Sequence, residues 1–394
     1  MYINQNSLIH LRVASKLKNK SSNKYQKHKV MQKIKFSNFK TKLFCIAISL
    51  SIISFVGFSQ NTSPEVIKFM DLIETNSREI IRIPNIDNYI TLKCDFHTHT
   101  VFSDGQVTPM ARINEAWNDG LDAIAITDHI EYRPFKDIVN PDFNKSNEMS
   151  EKYGKQIGFM VISGAEITRK KPLGHLNALF IKDVNKLNVT DPIDAIKEAV
   201  KQGAFVMWNH PGWPNDSCTM YDIHRSLIKD KQIHGVELFN SKEWYPKVLT
   251  WGKETGLTIM GNSDAHLTVR TIYGNERMSR PMTLVFAKEK SEESIKEALF
   301  AGRTLAVFFK NIAGKEDLMK QLISKCLDVR VIDRKKGVIE VSNNSDLEFS
   351  VKFGNNLVVL QPNKINRVTL NQNTLVEFSN CFIGENDTLK MNLW

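Results

Sequence analysis

The chain has 394 residues, 42% of them hydrophobic, which is enough for one large domain and a smaller one and excludes disorder along the whole length. Its formal charge of +10 points first to nucleic acid or an anionic membrane, but eleven of the 53 Lys and Arg fall in residues 1–42, which contain no acid. The other 42 face 43 acidic residues, so the body is about neutral and no long nucleic-acid track is expected.

In chain order, residues 1–60 form a leader. Behind the basic run comes LFCIAISLSIISFVGF, residues 43–58, uncharged and followed by Ser59, Gln60 and Asn61, the pattern of a secretory signal. The run is short against the roughly 20 apolar residues of a membrane span. Its two readings are a cleaved signal and a retained anchor, the latter being the one expected membrane contact. Met31 is an alternative start, since MQKIKFSNFKTK alone makes an ordinary basic n-region. Cys45 opens the apolar run and so does not suit a lipoprotein. The expected location is the periplasm or the extracellular space. Cys94, Cys218, Cys326 and Cys381 stand singly, without a CxxC, and are expected as buried thiols.

Residues 61–90 are expected as a helical lead-in. From 91 a repeat sets in of apolar strand, polar turn and amphipathic helix. The strands are expected at TLKCDF (91–96), DAIAIT (122–127), FMVISGA (159–165), HLNALFI (175–181), AFVMWN (204–209), GVELFN (235–240) and LTIMGN (257–262). Helices are expected at TPMARINEAWNDG, with Thr108 as cap and Gly120 as stop, and at 191–203, 245–256 and 291–302. Continuous apolar strands alternating with helices predict an α/β fold with a parallel sheet, and this many units suit a closed or nearly closed barrel over residues 91–305. GxGxxG and Walker loops are missing, which weakens nucleotide binding. After about 310 the pattern alternates apolar and polar residues between KKG, NNS, GNN and QPN turns. That predicts a small C-terminal all-β, sandwich-like domain over 311–394.

Histidine is scarce, yet six of the eight beyond residue 60 lie at strand ends or starts: His97, His99, His129, His175, His210 and His266. Asp95, Asp104, Asp128, Glu166 and Asp264 share those places. Alternate residues of a strand point the same way, so His97 and His99 can grip one ion, as can Asp264 and His266. Imidazole and carboxylate together suit zinc, manganese or iron. The donors are too many for one ion and imply two or three joined by bridging carboxylates. A His-Ser-Asp triad is disfavoured because no GxSxG elbow is present.

These motifs resemble the PHP (polymerase and histidinol phosphatase) superfamily of metal-dependent phosphoesterases. The likeness runs from about 91 to 305 and rests on HTH with Asp104 seven residues after His97, TDH at 127–129, GAE at 164–166 with His175 and NHP (209–211) downstream, and SDAH at 263–266. It implies a distorted (β/α)7 barrel of PHP type and a trinuclear centre. In that pattern His97, His99, Glu166 and Asp264 hold one ion, Glu166 bridges to a second held by His175 and His210, and Asp104, His129 and His266 hold a third. Asp95 and Asp128 then serve as outer groups orienting the ligands. The implied reaction is hydrolysis of a small phosphodiester or phosphomonoester by a hydroxide bridging the metal ions.

Around this centre, Arg133 and Arg280 are the candidate phosphate clamps. Trp208 and Trp213, on either side of His210, either pack in the core or wall an aromatic leaving group. The competing function is an amidohydrolase-type metal hydrolase acting on a C–N or C–O bond, whose sites also open with HxH but use a lysine, cysteine or glutamate bridge and end on a lone aspartate. Asp104 and the DAH of 264–266 favour the phosphoesterase.

Overall fold

Apolar runs rich in β-branched residues supply the strands: β1 Ile90–Asp95, β2 Ala123–Ile126, β3 Met160–Ile167, β4 Leu176–Leu179, β5 Phe205–Trp208, β6 Gly235–Asn240, β7 Glu243–Trp244, β8 Thr258–Asn262, β9 Met282–Ala287, β10 Thr304–Phe308 and β11 Asn311–Gly314. The computed structural model describes residues 78–394 apart from Asp216, Arg277 and Asn355, and these form one compact unit. The basic leader, the apolar run 43–58 and the first part of the expected lead-in lie outside the described residues.

The helices are α1 Pro109–Asn118, α2 Lys145–Ile157, α3 Pro192–Lys201, α4 Asp222–Lys229, α5 Lys247–Thr255, α6 Val269–Tyr273, α7 Glu292–Phe300 and α8 Glu316–Cys326. Thr108 caps α1 by accepting the Ala111 N–H, as its position before a Pro at N1 predicts, and Asp191 and Ser291 cap α3 and α7 in the same way. Helix α2 went unnoticed in the sequence because its buried face is Ser146, Asn147, Ser150 and Gly154 rather than an apolar stripe. That face has its own logic: Asn147 donates to Gly164 O (2.8 Å) and accepts from Gly164 N (3.2 Å), standing in for a strand neighbour of β3.

Parallel ladders join β1 to β2, β2 to β3, β5 to β6 and β6 to β8. Strand β4 departs from the expected parallel order. It pairs antiparallel with β3 (Glu166 opposite Asn177) and with β5 (Leu176 opposite Trp208), because only a short loop without a helix separates it from β3. On the other flank β9 runs antiparallel to β1, and β10 and β11 follow antiparallel. Hydroxyls link β8 to that flank: Thr304 Oγ1 donates to Ile259 O (2.7 Å) and Thr283 Oγ1 to Gly261 O (2.9 Å).

Beyond α8 the chain is all β: β12 Leu327–Asp333, β13 Val338–Asn343, β14 Phe349–Phe353, β15 Asn356–Leu360, β16 Ile365–Thr369, β17 Leu375–Phe382 and β18 Thr388–Asn392. Strands β12, β13 and β16 make a separate sheet, while β17 pairs with β11 and thereby continues the main sheet. Ile339 and Val341 of the small sheet and Phe349, Val351 and Phe378 of the large one share one buried cluster, the two-layer arrangement that alternating patterning predicts. Helix α8 precedes this region and corrects the expectation of a purely β segment from 311. Its Leu318, Met319, Leu322 and Ile323 belong to the same cluster.

A second correction concerns the lead-in, whose described part, residues 78–89, is not helical. Ile81 and Ile83 are buried on either side of exposed Arg82, a period of two that lays an extended chain on the core, and Pro84 bars a helix there. No helix among the described residues is long and apolar enough to cross a membrane.

Candidate metal centre

The nine residues converge on one rim. His97 and His99 follow β1, His129 follows β2, Glu166 sits near the end of β3, His210 follows β5, and Asp264 and His266 follow β8. His175 precedes β4, and because β4 runs the opposite way its start faces the same rim as the ends of the others. The ladders extend past the strand ends, with Thr98 bridging Ala265 and His129 bridging Glu166. Asp264 N donates to His97 O (2.8 Å) and His99 N to Ala265 O (3.1 Å), which locks the two pairs of donors together.

Asp104 reaches the rim on a tight loop over 100–107. A Cβ on Gly105 would lie 2.6 Å from the His99 carbonyl carbon, so only glycine lets this loop close on the strand. His210 (φ +24°) and Asp264 (φ +50°) hold backbone conformations uncommon for residues with a Cβ, strain of order 1–3 kcal/mol that clusters at functional sites.

The atom geometry is that of an ion cage. His97 Nε2 and His99 Nε2 each lie 3.3 Å from Glu166 Oε2, and 3.2 and 3.1 Å respectively from Asp264 Oδ1. A tetrahedral ion with bonds of about 2.0–2.1 Å sets its donors about 3.3–3.4 Å apart, close to these edges. The other Glu166 oxygen, Oε1, lies 2.9 Å from His175 Nδ1 and 3.6 Å from His210 Nε2. Asp104 Oδ1 lies 3.1 Å from His266 Nε2 and 3.5 Å from His129 Nε2. His99 Nε2, Asp104 Oδ1 and Asp264 Oδ1 are buried without a hydrogen-bond partner among the described residues, as donors awaiting a cation should be. The residues present fit divalent ions.

Charge follows the same logic. Burial alone would raise Glu166, but the charges of His129 and His97 hold it well below the usual carboxylate range. Asp264 is also raised by burial and held far down by His97 and His99. Burial, with the repulsion of His266 and His129, pulls His99 down to about 4, so its imidazole stays neutral and keeps a lone pair. His129 is lowered by burial, yet Glu166 and Asp104 bring it up to about 9.

An outer layer fixes the donors. Glu237, wholly buried on β6, accepts from His97 Nδ1 (2.9 Å) and Asn262 Nδ2 (3.0 Å) at Oε1 and from His210 N (2.8 Å) and Asn240 Nδ2 (2.8 Å) at Oε2. Asn209 Nδ2 donates to Glu166 Oε1 (3.0 Å). Asp128 accepts from Thr100 N, Thr100 Oγ1 and Ser103 Oγ, and Asp95 from His97 N, Ser263 N and Ser263 Oγ, so both outer aspartates hold ligand-bearing loops. Arg112, with no exposed surface, donates from Nε to His99 O (3.1 Å) and from Nη2 to Ala265 O (2.8 Å), joining the HTH and DAH segments from behind.

Neither expected clamp faces the centre. Arg133 spends Nε on Phe102 O and its terminal nitrogens on Asn140 and Pro141 carbonyls, and its plane lies over Phe143. Arg280 is buried between Asp95 and Asp119. A cavity of about 730 Å³ opens over the ligands, and Arg169 and Lys170 line it instead. Arg169 pairs with Glu131, whereas Lys170 is exposed and has no ionic partner among the described residues. Of the tryptophans, Trp208 is buried and Trp213 is half exposed, its ring 4.9 Å from that of His175.

Sequence signals existed for some of what was missed. A glutamate in the middle of the apolar run GVELFN is unexpected unless it is paired, and that marks Glu237. Nothing in the sequence separates Lys170 from Arg133.

The sequence model of the PHP domain matches residues 95–343, a span that contains all nine of these residues. The chain belongs to the PHP family of metal-dependent phosphoesterases. A two-domain protein of Bacteroides vulgatus, described as containing a predicted PHP-like metal-dependent phosphoesterase, is 36% identical to this PHP chain. The likeness covers 81% of this chain and 99% of that one with a TM-score of 0.77. An uncharacterized protein of Methanocaldococcus jannaschii is 38% identical over 81 residues, which are 21% of this chain and 36% of that relative's length. Histidinol phosphate phosphatase of Lactococcus lactis, solved with zinc, L-histidinol and phosphate, is 15% identical over 53% of this chain and 94% of its own, with a TM-score of 0.29.

Proposed function

We propose that this protein is an exported hydrolase of small phosphate esters, diester or monoester, working with three divalent ions of zinc, manganese or iron. His97, His99, Glu166 and Asp264 would hold one ion, Glu166, His175 and His210 a second, and Asp104, His129 and His266 a third. One observation carries the reading: the two oxygens of Glu166 face different sets of histidines, which is the arrangement of a bridging carboxylate. Such ions, when bound, supply Lewis acidity to a phosphoryl oxygen and lower the pKa of water.

The chain's own residues do the rest. Glu237 holds the His97 ring in one orientation, and Arg112 holds the backbone of the HTH and DAH segments in register. Lys170 at the mouth attracts the anionic ester, while Tyr132 and Trp213, both about half exposed, give its organic part an apolar wall. A mouth with a single unpaired cation among the described residues suits a small ester better than a long nucleic acid. The hydroxyl links from β8 to β9 and β10 support a distorted (β/α)7 barrel over 91–305, with 311–394 as the C-terminal domain. The basic and apolar leader supports export.

Elemental analysis of metal-loaded protein tests this directly. The expected result is three ions per chain, falling to two in His129→Ala, with chelator-sensitive hydrolysis of bis-p-nitrophenyl phosphate or p-nitrophenyl phosphate. One ion or none, with neither ester turned over, would sink the reading.

A further inference from the structure

A second cavity, of about 410 Å³, opens off the metal rim and is lined in part by His175 and His210. It meets the larger cavity at Arg169, Lys170, His175, His210 and Trp213, which line both. Trp213 stands at that junction, half exposed, with its ring 4.9 Å from His175 and 5.7 Å from His210. Two spaces therefore diverge from one pair of proposed ion ligands, and each is in the range that holds a small organic group.

The side cavity is built rather than incidental. Its walls are the rings of Trp208, Tyr221, His224 and Trp213, and His224 stacks on Trp208 at 3.8 Å with a tilt of 20°. His224 has both nitrogens engaged, Nδ1 by Tyr221 N and Nε2 by Leu173 O, so it serves as a wall and not as a ligand. Lys171 ties the outer loop down through Asn215 Oδ1 (2.7 Å) and Ser217 O (2.9 Å). Trp208 is only 3% exposed, and its ring forms one wall of this cavity. Beside its indole nitrogen is Gly174, at φ +75°, where a Cβ would come within 3.6 Å of it.

Resting on the phosphoesterase reading above, we propose that the substrate is a phosphodiester whose two alcohol parts are divided by Trp213, one in each cavity. A monoester has one organic arm and would leave one space filled by water, whereas a diester has two. The arm in the side cavity is flat or apolar, to suit walls made of aromatic rings. In the reaction one P–O bond breaks and one forms to the oxygen of water. The departing alcohol takes a proton, and the product monoester keeps the other arm.

The test uses full-length, metal-loaded protein and a variant at Thr219, which lines the side cavity: Thr219→Trp, with Thr219→Phe as a milder alternative. Diphenylphosphinate and phenylphosphonate, which resist hydrolysis and carry two rings and one, are titrated calorimetrically. Hydrolysis of bis-p-nitrophenyl phosphate and p-nitrophenyl phosphate is followed in parallel. Filling the side cavity is expected to lower the diester-to-monoester ratio of kcat/KM about tenfold and to weaken diphenylphosphinate about tenfold relative to phenylphosphonate. Unchanged ratios in both variants, with turnover intact, would overturn the two-arm proposal and leave the phosphoesterase reading standing. Failure of the unaltered protein to cleave either ester would overturn both.

Discussion

Replacing Glu237 by Gln changes one atom and removes one charge, so it isolates what this carboxylate does for the metal rim. Its two oxygens accept four donors: His97 Nδ1–H and Asn262 Nδ2–H on one side, His210 N–H and Asn240 Nδ2–H on the other. A glutamine amide offers one acceptor oxygen and one donor nitrogen. If the oxygen stays with His97, the nitrogen confronts His210 N–H and Asn240. Asn240 can turn its own amide over, but a backbone N–H cannot, so one buried donor is left unsatisfied at about 1–3 kcal/mol. The His97 imidazole also loses the negative partner that makes it a stronger ligand, an effect of about 10–100-fold in metal affinity or activity. The expected E237Q protein folds, melts several degrees lower and binds zinc or manganese about 10–100-fold more weakly in chelator competition, with diester hydrolysis reduced in step. Metal affinity within threefold of the unaltered protein, at an unchanged melting temperature, would show that Glu237 is a passive core residue.

Three further outcomes are expected. Arg112→Met strips two backbone carbonyls of a buried guanidinium and leaves Glu115 without its 2.7 Å partner, so unfolding in urea should show a loss of about 3–5 kcal/mol. Arg112→Lys keeps the charge without the fork and should recover only part of it. His234 lies between Phe205 and Phe300 and accepts the Val206 N–H, and burial lowers it to about 4. The folded state thus favours the neutral ring, and that contribution is complete above about pH 6.5 and drains away as pH falls toward 4. His234→Asn keeps an acceptor and does not titrate, so the melting-temperature gap between it and the unaltered protein should narrow from pH 7 to pH 5; a constant gap would contradict the assignment. Saturating zinc or manganese should raise the melting temperature, and prolonged chelation should lower it, because ions that bind only the folded rim stabilise it by mass action. A melting temperature indifferent to metal would mean that the orphaned donors serve no ion.

Much of the centre was legible because metal chemistry restricts which side chains can take part. His97, His99, His129, His175, His210 and His266 were found from their placement at strand ends, and Glu166, Asp104 and Asp264 from their company. Strands β1 to β6 and β8 lay within a few residues of their apolar runs, and α1, α3, α5 and α7 within theirs, since caps and stops are local. What was not legible depended on partners far away in the chain. Helix α2 buries small polar residues that only β3 makes use of, and β4 takes its direction from the short helix-free loop that separates it from β3. Arg133 and Arg280 had the right chemistry and sequence position, but the carbonyls of Phe102, Asn140 and Pro141 and the carboxylates of Asp95 and Asp119 claim them. Lys170 remains at the mouth because no acid among the described residues pairs it.

The sequence by itself therefore determined the α/β class, the family and which histidines and carboxylates stand at strand ends, because periodicity and residue type are properties of a few consecutive residues. The tertiary structure decided which arginines are consumed, that Glu237 and Arg112 hold the donors in place, and that two cavities meet at His175 and His210. Those outcomes rest on packing between segments more than a hundred residues apart, such as His97 against Glu237 and His99 against Ala265, and no local pattern carries that information.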